Sequence, residues 1–232
     1  MHPLDNVIWT SLTTTHAHFA EASGSARRFP EEISLLGAVR EHTAEAYNVL
    51  AELTRARPVG LFLEDEHPPV GWRTVAVKPL LQMICENDSL LGPPPSDAPR
   101  LVELGAAESS RMMALAELTR PGPFGPRTHE FGRYIGIMEE ENLVAMAGER
   151  LRLPGYTEVS AVCTHPSRTG RGYARLLMTD VMRRIFQRGE QPFLHVRNDN
   201  THAIELYRRL GFRERLQRYY AVVQYGENEP TS

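Results

Sequence analysis

Cysteine is nearly absent: Cys85 and Cys163 are the only two in 232 residues, far apart in sequence and each among apolar neighbours. One potential pair is no disulfide framework, so a reducing compartment is expected. Long apolar runs are missing as well. No stretch approaches the roughly 20 residues that a helix needs to cross a bilayer, and the N-terminus, opening His2, Pro3, Leu4, Asp5, lacks a basic segment followed by an apolar one. The expectation is a cytoplasmic protein with no membrane partner. An excess of positive charge is missing too: 26 lysines and arginines face 29 acidic residues, for a net charge of −3. Nucleic acid is therefore not an expected partner, and any polyanionic ligand must be gripped locally. His16 and His18 are spaced as metal ligands are on a strand, but no third candidate lies near them. They read as surface or packing histidines, and no metal is expected.

What is present divides at the run Gly92, Pro93, Pro94, Pro95, Ser96, Asp97, Ala98, Pro99, whose prolines lack donors and cannot continue a helix or a central strand. The expected division is an α+β unit over 1–95, of unassigned role, and a second unit over 98–226. In the first, residues 38–56 read as a helix, and 59–63 and 72–77, running on towards Ile84, as strands. In the second, 101–104 reads as a strand and 108–119 as a helix. Residues 134–138, 143–150 and 158–164 read as three strands of an antiparallel meander, the run Glu139 to Glu141 being a solvated turn. The strongest helix is 172–187, where Ala174, Leu177, Met178, Val181, Met182 and Ile185 recur at three- and four-residue spacing. A strand over 193–196, a helix over 201–209, a helix stop at Gly211 and a strand or hairpin over 212–223 complete the pattern.

Two segments carry chemistry. In the run Val162, Cys163, Thr164, His165, Pro166, Ser167, Arg168, Thr169, Gly170, Arg171, Gly172, Tyr173, Ala174, Arg175, a strand ends, a glycine-bearing turn follows and a helix begins. The first turn of a helix offers unpaired N–H groups and the positive end of its dipole, a cradle for phosphate oxygens. Gly170 and Gly172 keep side chains out of the way. A plain turn has the same glycines, but two rivals drop out. No lysine followed by serine or threonine makes a triphosphate loop, and the second glycine pair of a dinucleotide fingerprint is missing. Further on, Asn200, Ala203 and Tyr207 stand three and then four apart, on one face of a short helix. An N-capping asparagine and a tyrosine at the core edge would show the same spacing.

Together these segments resemble the GCN5-related N-acetyltransferase (GNAT) superfamily, over roughly residues 101–223. That family's arginine or glutamine, two spacers, glycine, spacer, glycine or alanine falls here on Thr169, Gly172 and Ala174; the first position departs, with Arg168 one residue early. Its later asparagine, alanine, tyrosine, glycine and phenylalanine fall on Asn200, Ala203, Tyr207, Gly211 and Phe212, a complete match. The stretch from Val162 to Ala174 also resembles the FR47-like branch, which includes glycine N-acyltransferase-like proteins.

The resemblance implies an α/β (α+β) GNAT fold, a mixed, mainly antiparallel sheet flanked by helices and preceded by a smaller α+β domain. It further implies acetyl transfer from acetyl-CoA to a primary amine, carried by a small molecule or a peptide. Cofactor binding would then fall to Val162, Cys163, Thr164, Thr169, Gly170, Arg171, Gly172, Tyr173, Ala174, Arg175, Asn200, Ala203 and Tyr207. Backbone N–H groups of Val162 and Thr164, near a bulge where the strand parts from its neighbour, would hold the pantetheine arm and polarise the thioester carbonyl, and 170–175 would hold the pyrophosphate. Tyr207 is the expected acid for the leaving thiolate. Glu158 is the expected base, on the same side of its strand as Ser160, Val162 and Thr164 by simple alternation. That alternation turns Cys163 to the opposite face, as a packed residue rather than a nucleophile. A non-catalytic acyl-CoA-binding module would carry the same motifs, and a homodimer is compatible with either reading.

Overall fold

The computed structural model describes residues 2–226. After a short helix, α1 (Val7–Thr13), the strands β1 (Glu21–Ser23), β2 (Ala26–Arg28) and β3 (Gly37–Val39) pair into a small antiparallel sheet. Then come α2 (Ala44–Thr54), β4 (Val59–Leu63), β5 (Trp72–Ile84), β6 (Leu101–Leu104) and α3 (Ser109–Thr119). The rest of the chain forms β7 (Tyr134–Glu139), β8 (Asn142–Leu153), β9 (Tyr156–Thr164), α4 (Tyr173–Gln187), β10 (Gln191–Arg197), α5 (Thr201–Arg209) and β11 (Arg213–Tyr225).

Eight strands join one sheet in the order β4-β11-β5-β10-β9-β8-β7-β6. Only β9 and β10 run parallel; the other neighbours are antiparallel, as expected of a mixed, mainly antiparallel sheet. The proline-rich run at 92–99 does break the chain between β5 and β6. The sheet crosses that division, because β5 lies between β10 and β11 and β4 pairs on the far edge of β11. Residues 1–95 thus contribute two strands to the sheet of 98–226.

Local chemistry sets the element ends. The helix expected over 38–56 starts only at Ala44, because Thr43 accepts a hydrogen bond from the N–H of Ala46 (3.2 Å) and caps it. Ala38 and Val39 instead lie buried in β3. Between β8 and β9 the chain turns at Pro154 and Gly155, the glycine taking φ 80°, so both strands run past their expected ends. The segment expected as strand or hairpin at 212–223 is one 13-residue strand that uses both edges, pairing β4 and β5.

Both faces of the sheet are covered. On one, α4 buries Leu177, Met178, Val181, Met182 and Ile185 against Ile135, Ile137, Ala145, Ala147, Val159, Leu194 and Val196, each such side chain contributing roughly 1.5–3 kcal/mol. On the other, α3 packs Met112, Leu115 and Ala116 over Tyr134, Met146, Ala161 and Cys163. The N-terminal residues Leu4, Val7, Ile8 and Leu12 pack with Leu151, Leu153 and Phe193.

His16 belongs to that N-terminal packing and is 3% exposed. Its Nε2 lies 3.0 Å from the carbonyl of Phe131, which can only accept, so Nε2 carries the proton and Nδ1 accepts from Ser11 Oγ at 3.0 Å. Burial lowers its pKa from 6.5 to about 4. Between those values the unfolded chain binds a proton that the folded chain refuses, so stability falls as pH falls through this window. Between pH 7 and pH 5 the expected loss is roughly 2 kcal/mol. Urea unfolding at both pH values should show that loss in the native sequence and little of it in His16→Gln, whose side chain does not titrate.

Candidate active site

The parallel pairing of β9 with β10 lasts three residues, from Gln191↔Tyr156 to Phe193↔Glu158. Beyond Glu158 the strands part, and β10 continues along β5. The edge of β9 that faces the gap keeps backbone groups without strand partners. His165 donates its N–H to the carbonyl of Val144 on β8 at 2.7 Å. Successive N–H groups alternate between edges, so those of Thr164 and, two residues earlier, Val162 point away from β8 into the gap.

A bulge sets which side chains go with them. From Gly148↔Ser160 to Met146↔Cys163 the register advances two residues on β8 but three on β9, with Ala161 at φ 51°. The extra residue reverses the alternation. Val159 and Val162, three apart, both pack on the α4 side, whereas Ala161 and Cys163 pack under α3. The expectation that Glu158 and Ser160 share a face with Val162 and Thr164 is thereby corrected: the bulge turns Glu158 to the opposite face. Cys163 is buried as expected, and that burial pushes its thiol up to about 11, so it stays a packed thiol.

Past β9, a short turn over Pro166–Arg168 leads into Thr169, Gly170, Arg171 and Gly172. Gly170 and Gly172 take φ 80° and 75°, and an added Cβ at either would meet nothing within 4 Å. Gly172 is the N-cap of α4 and has no side chain to accept from the helix's first N–H groups, so they stay open to an anion. Tyr173 and Ala174, the first two residues of α4, are half-buried, while Arg175 is exposed. The acidic turn is more than a solvated one. Glu139, the last residue of β7, accepts from Arg168 Nε (2.5 Å), Arg171 Nη1 (3.4 Å) and the Tyr173 hydroxyl (2.9 Å).

Across the gap, Asn200 caps α5, its Oδ1 accepting from the N–H of Ala203 at 3.2 Å. Tyr207 is 9% exposed in the same core cluster as Val159, Leu194 and Val196. Burial raises its phenol to about 12, with the nearby Cys163 thiol adding to the rise. Ala203 packs against that cluster.

Glu158 does not fit the role of proton acceptor. It is fully buried, and its carboxylate receives Arg150 Nε at 2.8 Å, Arg150 Nη2 at 2.7 Å and the His195 ring at 2.7 Å. Burial alone would raise its pKa, but the charge and hydrogen bonds of Arg150, with His195, bring it down to about 2. With the Leu151 N–H also directed at it from 3.4 Å, all four acceptor sites of this weakly basic carboxylate are partnered, and it is a poor proton acceptor at neutral pH. The chain of bonds continues inward. His195 Nε2 lies 3.1 Å from Gln82 Nε2, whose other amide atom accepts from Arg215 at 2.8 Å, so His195 accepts from Gln82 and donates Nδ1–H to Glu158. Gln82 also donates to the carbonyl of Leu4 (3.1 Å), and Arg215 pairs with Asp5. Sequence reasoning missed Arg150, His195, Gln82 and Glu139. Only Glu139 had a signal, the triple-glutamate turn.

The FR47-like protein family matches residues 134–221, from β7 to β11. N-alpha-acetyltransferase RimI of Mycobacterium tuberculosis (strain H37Rv) is 38% identical over 94 residues, 38% of this chain, and the match spans 58% of that relative's length. The solved GCN5-related N-acetyltransferase from Kribbella flavida, 18% identical, shares the fold, with a TM-score of 0.61 over 96% of this chain and 94% of its own. The crystal structure of a GNAT-family protein from Novosphingobium aromaticivorans DSM 12444 is similar from end to end: 37% identity, a TM-score of 0.85, and coverage of 98% of this chain and 100% of that one. With both sequence and fold shared along the whole length, the chain belongs to the GNAT family of acetyltransferases.

Proposed function

We propose that the protein transfers an acetyl group from acetyl-CoA to a primary amine by direct attack. The observation that carries this reading is the gap between β9 and β10, into which two backbone N–H groups point while the glycine-lined start of α4 opens beside it. Acetyl-CoA supplies an activated thioester. The N–H groups of Val162 and Thr164 hold the pantetheine arm and draw charge from the thioester carbonyl, and residues 169–175 hold the diphosphate through backbone N–H groups. Asn200 and Ala203 flank the gap on α5. The motif position taken by Thr169 offers a hydroxyl in place of a longer side chain, which shifts the binding further onto the backbone.

The Tyr207 hydroxyl donates to the departing sulfur. Its pKa of about 12 lies above the roughly 8.5 of a free thiol, so it acts as a hydrogen-bond donor to the developing thiolate more than as a full proton donor. Glu158 holds Arg150 and His195 in place, and the acceptor's ammonium proton passes to water. The RimI relative is named as an N-α-acetyltransferase, so an α-amine, of a small molecule or a peptide, is the acceptor class to test first. The rival reading is a binding module that holds acyl-CoA without turnover.

A thermal shift and a thiol-release assay separate these readings. At 100 times its Kd, acetyl-CoA should stabilise the fold by roughly 2.7 kcal/mol, and free thiol should appear once amines are added. Stabilisation without thiol release across an amine library leaves the binding module, and no shift at millimolar acetyl-CoA removes both readings.

Glu158→Gln leaves the Arg150 guanidinium without its counter-charge, so it should lower stability by about 3 kcal/mol or more, read as a fall in urea midpoint. An unchanged midpoint would return Glu158 to the list of candidate bases. Tyr207→Phe keeps the ring's packing, and its expected effect is a fall in kcat of about ten- to a hundredfold with acetyl-CoA affinity unchanged. Equal loss of affinity and rate would make the phenol a contact to the cofactor only.

A further inference from the structure

We propose that Glu139 is a built-in counter-anion of the loop over 168–173, holding its donors in the free protein and lowering the affinity for any ligand whose diphosphate must take them over. This rests on the reading that the loop takes the diphosphate of acetyl-CoA. The three groups bonded to the Glu139 carboxylate come from Arg168, Arg171 and Tyr173, which flank Gly170 and Gly172. They stand on either side of the open helix start, and they converge on a carboxylate from a different strand.

The charge balance favours competition over simple support. Glu139 and Arg168 are 28% and 34% exposed and Arg171 is 52% exposed, so the cluster sits in high dielectric at the surface and is screened by salt. A diphosphate brought to the helix start adds its negative charges beside that of Glu139, and the two anions repel while sharing one set of guanidinium groups. The ligand gains the arginines only as Glu139 loses them. Arg168, standing one residue before the family's position, fits this exchange, since its guanidinium is tied to β7 rather than left free at the loop. Spent CoA carries the same diphosphate, so the same repulsion helps release it.

The test uses calorimetry on the full chain with two ligands, acetyl-CoA and S-acetylpantetheine, which lacks the diphosphate. Glu139→Gln keeps an acceptor oxygen for Tyr173 while removing the charge and the acceptor that faces Arg168. It should bind acetyl-CoA roughly threefold or more tightly at low salt, with the difference shrinking at high salt and with no change towards S-acetylpantetheine. Glu140→Gln, in the same turn but outside the cluster, should match the unsubstituted protein. Equal or weaker acetyl-CoA affinity in Glu139→Gln overturns the proposal. So does an equal gain in Glu140→Gln, which would mark a diffuse charge effect, or an equal gain for S-acetylpantetheine. Failure of the cofactor reading is visible separately, as an unsubstituted protein that does not prefer acetyl-CoA to S-acetylpantetheine.

Discussion

A strand has two edges of backbone donors and acceptors, and every buried group on them needs a partner. β9 satisfies one edge against β8 along most of its length and the other against β10 for only three residues. What remains open past Glu158 is a row of polar groups inside a folded sheet, a cost unless water or a ligand takes them. The divergence is possible because β10 does not lose its own partners when it leaves β9: β5, from the first half of the chain, pairs with it from Phe193 to Arg197. The N-terminal strands therefore belong to the physics of the site. Without β5, β10 would have an open edge on each side.

The vertex of this divergence is held by a buried ion pair. Arg150 and Glu158 face each other across β8 and β9 at the last residue that β9 pairs with β10. Such a pair adds little net stability once desolvation is counted, but it is strongly directional and its breakage is costly. His195, Gln82, Arg215 and Asp5 extend it to the N-terminal segment, so strands from both halves share one set of hydrogen bonds. A polar network in which each member is partnered specifies one register and resists slippage.

Much of this was legible in the sequence for reasons of period and composition. The apolar stripe of α4, the meander and the glycines at the helix start are local, and local signals survive without knowledge of the fold. The motif of Asn200, Ala203, Tyr207, Gly211 and Phe212 marked the cap, core face and stop of α5. The resemblance implies a bulge near Val162 and Thr164, but not its effect on which way the side chains face. Ala161 adopts φ 51° without being glycine, and alternation carried through it puts Glu158 on the wrong face. The partners of Glu158 were equally hidden, because Arg150 and His195 are strand residues whose meeting depends on the pairing of three strands. The insertion of β5 could not be read either, since a proline-rich boundary in the chain looks the same whether or not a sheet closes across it.

The bulge also divides the chemistry. It sends Val162 to the face where α4 and Tyr207 lie and leaves Glu158, Arg150 and His195 on the other. In the proposed reaction the sulfur leaves towards the first face, where Tyr207 sits among apolar side chains; there a single hydrogen bond to the developing charge is strong, because little water competes for it. The second face is already electrically balanced, guanidinium against carboxylate, with a histidine that accepts from Gln82 rather than from substrate. A simple alternating strand would have turned the Glu158 carboxylate to the same face as Val162 and Thr164. One extra residue in β9 instead keeps that carboxylate on the opposite side of the sheet, paired with Arg150 and His195.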